Sequence, residues 1–232
     1  MSEVQIARFV DMDACRTIFS DSSTFVLRSS VYYRRKDETC RGDKQELKVK
    51  VVGSGSAEWG NSLLSCWTRL DGHEPTQDEW CIFSDSVVAI VSTPSKVRAF
   101  LKKVFEIKNG EMRDGRRFPF LSVTHKAVEY ADEVAEITSD NIMDQTIFVK
   151  RKKFENQKEY RFALPYCGTI HSIVSYIFAA TPGYMKKCFV NPQVCGKDKQ
   201  ELRQILLEAM CGYGHFQGKK ISELIANSDI LF

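Results

Sequence analysis

No apolar run in this 232-residue chain approaches the roughly 20 residues needed to cross a bilayer. The longest candidate, Ile170 to Ala180, is short and is broken by His171, Ser172 and Ser175. Met1 to Val10 has no basic stretch leading into an apolar one, so nothing in it predicts a secretory signal. The eight cysteines are scattered, and no two have Cys-x-x-Cys spacing. That excludes the common zinc and redox frameworks and predicts reduced thiols in a cytoplasmic protein. His125 and His171 have no ligand partners at metal spacing, so no metal is expected. The net charge is only +3, too small to imply nucleic-acid binding by itself. There is no Gly-x-Gly-x-x-Gly, phosphate-loop or Gly-x-Ser-x-Gly pattern. Rossmann dehydrogenases, P-loop NTPases and nucleophile-elbow hydrolases are therefore set aside. No internal repeat, low-complexity tract or clear linker interrupts the chain.

What is present is ordinary for a folded globular protein: 43% hydrophobic and 27% charged residues. Asp11 caps a helix through about Ser20, with Cys15, Ile18 and Phe19 as its apolar side. Strands are predicted at 24–30, 47–52, 62–68, 86–92, within 120–130, at 157–164, within 169–178 and at 187–191. Pro75 opens a helix through about Ser84. Pro94 starts another, whose positions Val97, Phe100, Leu101, Val104 and Phe105 keep helical spacing. Asp144 to Phe154 reads as a short helix carrying Lys150-Arg151-Lys152-Lys153, and Asp198 to Cys211 as a long helix stopped by Gly212. A last helical turn or two is expected at 221–226. Residues 33–46, 53–60 and 108–117 read as loops or turns. Strands and helices mix without regular alternation. The expected architecture is a single α+β domain over residues 1–232, with a mixed or mainly antiparallel central sheet and helices packed around it.

Gln157-Lys158-Glu159-Tyr160-Arg161-Phe162-Ala163-Leu164 is the most informative segment. With a period of two, Gln157, Glu159 and Arg161 share one face of a strand, and Tyr160, Phe162 and Leu164 share the other. The apolar set belongs in a core. The polar set either faces water or builds a site.

Two resemblances bear on the choice. Phe154-Glu155-Asn156-Gln157-Lys158-Glu159-Tyr160-Arg161, together with Leu64-Ser65-Cys66-Trp67, Asp78-Glu79-Trp80 and Val88-Ala89-Ile90, resembles an uncharacterised, mostly bacterial family, domain of unknown function 2971. Leu27-Arg28-Ser29 and Gly42-Asp43-Lys44-Gln45-Glu46 resemble its N-terminal part. The family carries no established activity. Arg28 on an early strand, Ser92-Thr93 at the end of an apolar strand and Gln157-Lys158-Glu159 on a late one are similar, in that order, to NAD-dependent ADP-ribosyltransferases of the arginine–serine–glutamate class. The third position of the Ser-Thr-Ser element is Pro94 here, and the gap from Ser92 to Gln157 is long.

That second resemblance implies a transferase that consumes NAD, of the kind used as bacterial toxins or defence effectors, acting on a protein or nucleic-acid acceptor. Glu159 would stabilise the oxocarbenium-like ribose, and Gln157 would orient the acceptor. Arg28 would grip the diphosphate and Ser92 and Thr93 would brace the site. Trp67 and Trp80 would stack on nicotinamide or adenine. The competing reading is structural. Ser92-Thr93-Pro94 is then a helix cap, Glu159–Arg161 a surface ion pair, both tryptophans core, and Lys150 to Lys153 a solvated helix face. On that reading the chain is a non-catalytic interaction module that binds nucleic acid or a protein partner.

Overall fold

A computed structural model of the chain describes residues 3–19, 24–29, 48–51, 55–58, 62–72, 74–108, 123–132, 136–137, 146–165, 175–179 and 183–212. In chain order these form β1 (Gln5–Val10), α1 (Met12–Ile18), β2 (Thr24–Ser29), β3 (Lys48–Val51), β4 (Gly55–Glu58) and β5 (Ser62–Leu70). Next come α2 (Gln77–Ile82), β6 (Val88–Ser92), α3 (Pro94–Lys108), β7 (Thr124–Ala127), β8 (Glu129–Ala131) and β9 (Glu136–Ile137). Then follow β10 (Val149–Arg151), a 3-10 turn (Lys152–Gln157), β11 (Glu159–Pro165), β12 (Ser175–Ala179), β13 (Lys187–Val190) and α4 (Gly196–Gly212). The fold is α+β with mainly antiparallel strand pairing.

Local chemistry explains most of these boundaries. Asp11 caps α1 by accepting from the Ala14 N–H at 2.8 Å, and Cys15 and Ile18 turn inward. α2 begins two residues after Pro75 because Thr76 is its cap. Thr76 and Glu79 bond each other's backbone N–H groups in a reciprocal capping box. β6 is Val-Ala-Ile-Val-Ser, buried at all five positions, as a β-branched run flanked on both sides should be.

The chain divides into two compact units, one formed by residues 1–26, 67–100 and 177–232, the other by 27–66 and 101–176. In the first unit β1 pairs antiparallel with the end of β5 (Ile6↔Arg69) and with β6 (Arg8↔Ile90). β6 in turn pairs antiparallel with β13 (Cys188↔Ile90). One core cluster gathers Ala7, Phe9, Leu70, Trp80, Phe83, Ala89, Val91 and Phe189. Phe25, Phe100 and Tyr184 form a separate aromatic group, and Arg8 stands 5.4 Å over the Phe25 ring.

In the second unit β2 pairs antiparallel with the start of β5 (Arg28↔Leu64). β11 lies beside β5 and takes β7 on its other side (Phe162↔His125). β3 pairs with β4 antiparallel and with β9 parallel, and β10 pairs with β8 parallel. Leu64, Ile147, Phe148 and Ala163 form a second apolar cluster, with Cys66 packed against it.

Four sequence expectations need correction. Asp144 to Phe154 is not one helix: Lys150 and Arg151 lie on β10, and Lys152 begins the 3-10 turn. The side chain of Lys150 is buried in the second unit rather than on a solvated helix face, so helix propensity loses to a tertiary partner. Gln157 closes that turn and does not belong to the following strand. The Gly- and Ser-rich stretch 53–60 contains β4, held by backbone pairing to β3 rather than by side-chain propensity. The single strand expected within 120–130 is two, broken at Val128, which is buried and whose N–H donates to the Glu159 carbonyl. β1 has no counterpart among the expected elements. The turn at 33–46, most of that at 108–117, the helix at 221–226 and His171 lie outside the described residues.

Candidate functional site

The polar row expected on the Gln157–Leu164 segment is real but does not face water. Glu159 opens β11, and Arg161, two residues on, points to the same face. Their side chains are 8% and 2% exposed. Arg161 grips the carboxylate side-on: Nε donates to Oε1 at 2.9 Å and Nη2 to Oε2 at 3.1 Å. Its Nη1 donates to the Ile147 carbonyl at 2.5 Å. Lys150, arriving from β10 with its side chain 3% exposed, donates to Glu159 Oε2 at 3.1 Å and to Gln157 Oε1 at 2.8 Å. The Lys150 ammonium also stands 4.9 Å over the Phe154 ring. The Tyr130 hydroxyl accepts from the Glu159 backbone N–H at 2.7 Å. The ion pair expected at the surface is therefore internal, and it has a second cation.

Burial alone would raise the Glu159 carboxyl. The charge of Arg161, then that of Lys150, and hydrogen bonds from Arg161 and the Cys66 thiol outweigh it, and the group is held well below the usual carboxylate range. Burial pushes the Tyr130 phenol up to about 12, so it acts as a neutral hydrogen-bonding group. Lys158, between Gln157 and Glu159, adopts a left-handed backbone conformation (φ 45°, ψ 45°) as the turn ends. That turn is what swings the chain from the Phe154 side into β11.

Arg28 is half-buried on β2, directly opposite Leu64 on β5. Leu64 and Cys66 pack with Ala163, the residue two after Arg161, so Arg28, Leu64, Cys66, Glu159 and Arg161 emerge from one face of the second unit's strands. Ser92 and Thr93 belong to the first unit and are fully buried. The Ser92 hydroxyl donates to the Tyr184 carbonyl, and that of Thr93 lies 3.2 Å from the Ser95 hydroxyl in the first turn of α3. Trp67 and Trp80 are core residues of the same unit. Trp67 meets Tyr184 edge-on at 6.2 Å, and Trp80 meets Phe9 edge-on at 5.0 Å.

Lys150 and Tyr130 are the members of the cluster that sequence reasoning missed. Lys150 sits nine positions before Glu159, across a turn, and no local pattern links them. The Glu-x-Arg spacing did reveal Arg161. Elsewhere in the second unit, His125 Nδ1 and the Tyr160 hydroxyl are 2.7 Å apart, and the imidazole stacks on Phe162 at 5.4 Å. Among the described residues no three His, Cys, Asp or Glu side chains gather as a metal would require, and no helix is long and apolar enough to cross a membrane. Cys15, Cys66, Cys81, Cys188 and Cys195 form no disulfide. No protein-family model, curated protein or solved structure matches this chain.

Proposed function

We propose that the chain is a non-catalytic interaction module in which Glu159 holds the second unit together. One observation carries this reading: both carboxylate oxygens of Glu159 are bonded to buried cations, Arg161 and Lys150. A catalytic carboxylate in ADP-ribosyl transfer must reach a ribose hydroxyl. Freeing Glu159 breaks a buried ion cluster, at a cost of about 3–5 kcal/mol. That would lower a rate by about two to four orders of magnitude. The same contacts suit a residue that ties β10, the 3-10 turn and β11 together.

The transferase reading keeps one observation in its favour, the shared strand face of Arg28 and Glu159. The two readings separate on NAD. For the module, millimolar NAD leaves the melting temperature unchanged and no nicotinamide appears. A stabilising shift that Arg28→Ala removes, accompanied by nicotinamide release, would overturn the module reading and restore an NAD-consuming enzyme with a protein or nucleic-acid acceptor.

A further inference from the structure

The chain's positive excess is not spread evenly. Between Arg151 and Lys158 lie four cations, Arg151, Lys152, Lys153 and Lys158, against one carboxylate, Glu155. This surplus equals the +3 of the entire chain, so the remaining residues sum to no net charge. All four cations lie on or beside the 3-10 turn. Lys152 and Lys153 are exposed, and Arg151 and Lys158 are half-exposed. Lys150, which completes the basic run in the sequence, is internal and takes no part.

The turn is also ordered in a way that a solvated lysine run is not. Phe154 is buried beneath it, with the Lys153 ammonium 4.9 Å and the Arg151 guanidinium 5.6 Å from the ring centre. These contacts restrict two long side chains before any partner arrives, which reduces the ordering cost of binding. The left-handed residue Lys158 ends the turn and fixes the fourth cation close by. Lys152 pairs with Asp132 at 3.5 Å, but both side chains are more than half exposed. Such a pair contributes about 0–1 kcal/mol and yields readily to a phosphate. Among the described residues no apolar anchor accompanies the charges, because Phe154 is covered and the other exposed side chains of the turn are Asn156 and the single carboxylate, Glu155. A protein interface normally centres on an aromatic or aliphatic anchor, whereas a phosphate backbone needs only fixed cations.

We infer that the turn from Arg151 to Lys158 docks on the phosphate backbone of a nucleic acid, without reading its sequence. This rests on the interaction-module reading and gives that module its partner. The experiment is fluorescence anisotropy of the full chain with a labelled single-stranded and a labelled double-stranded oligonucleotide, across a salt series. An acidic peptide and NAD serve as separate arms. The expected result is binding at low salt that does not depend on sequence. Arg151→Gln/Lys153→Gln should weaken it about tenfold and make the salt slope shallower by about two. Arg151→Glu/Lys153→Glu should weaken it further, with melting temperatures checked for both variants. Absence of oligonucleotide binding at low salt, binding of the acidic peptide alone, or a neutralised variant that binds like the native chain would overturn the inference. Nicotinamide release in the NAD arm would instead sink the module reading itself, whatever the oligonucleotides do.

Discussion

Replacing Glu159 with glutamine tests the buried cluster most directly. The side chain keeps its shape and loses its charge. Arg161 and Lys150 are then left as two buried cations facing a neutral amide. One of the two positions that accept hydrogen bonds becomes an NH2 group, a donor aimed at donors. Removing one partner of a buried ion pair costs about 3–5 kcal/mol, and here the carboxylate serves two cations, so the upper half of that range applies. Against a typical stability of about 5–15 kcal/mol, the loss is about a quarter or more. Urea unfolding followed by tryptophan fluorescence and far-ultraviolet circular dichroism measures it. The companion variant is Lys150→Met/Glu159→Leu/Arg161→Met, which removes all three charges at similar volume and should fall within about 1 kcal/mol of the native chain or exceed it. A Glu159→Gln cost below about 1 kcal/mol, or a triple variant as unstable as the single one, refutes the reasoning. The pH dependence follows the same cluster. The folded carboxyl is held below its unfolded range, so the unfolded chain takes up the proton more readily. The stabilisation is complete at neutral pH and is lost as pH falls below about 5. The native chain should therefore unfold in acid more steeply than the triple variant does.

Smaller perturbations follow from other features. Lys158→Gly relieves the left-handed backbone and should raise stability by about 0.5–1 kcal/mol in the same urea assay, whereas the β-branched Lys158→Val should lower it by about 1–2 kcal/mol. Asp11→Ala removes the α1 cap and should cost about 1 kcal/mol, with Asp11→Asn recovering most of it. Cys81 and Cys195 are exposed, and burial raises the thiols of Cys15 and Cys188, the latter to about 12. Brief alkylation at pH 8 read by mass spectrometry should label the first two, and the second two only in denaturant.

Much of the fold was legible because local chemistry dictated it. The Asp11 cap, the apolar run of β6 and the amphipathic start of α3 each follow from neighbours within a turn or a strand. What escaped depends on distant partners. β4 contains Gly55 and Ser56 and exists through its pairing with β3. β1 is an interior strand, paired on both sides by β5 and β6, yet Arg8 interrupts its apolar pattern. Arg8 is accommodated by donating to the Val26 carbonyl at 3.1 Å, which a sequence does not display. In the cluster, the Glu159–Arg161 spacing was readable from the strand period, but its depth was not. Burial of that pair depends on Lys150 and on the Ile147 carbonyl, both contributed by a preceding segment.

The interleaving of the two units has a consequence for the order in which they can be completed during synthesis. The unit formed by residues 27–66 and 101–176 is wholly available once residue 176 has left the ribosome. The other has made β1 long before, but still lacks β13, which borders β6, and α4. β1 and β6 therefore remain with one edge of their sheet open until the last quarter of the chain arrives, a period in which such an edge is exposed to pairing with other chains. No single cut releases either unit intact. A truncation before Lys187 should yield aggregates rather than a smaller soluble protein, and a fusion partner is better placed at a terminus than at an internal boundary.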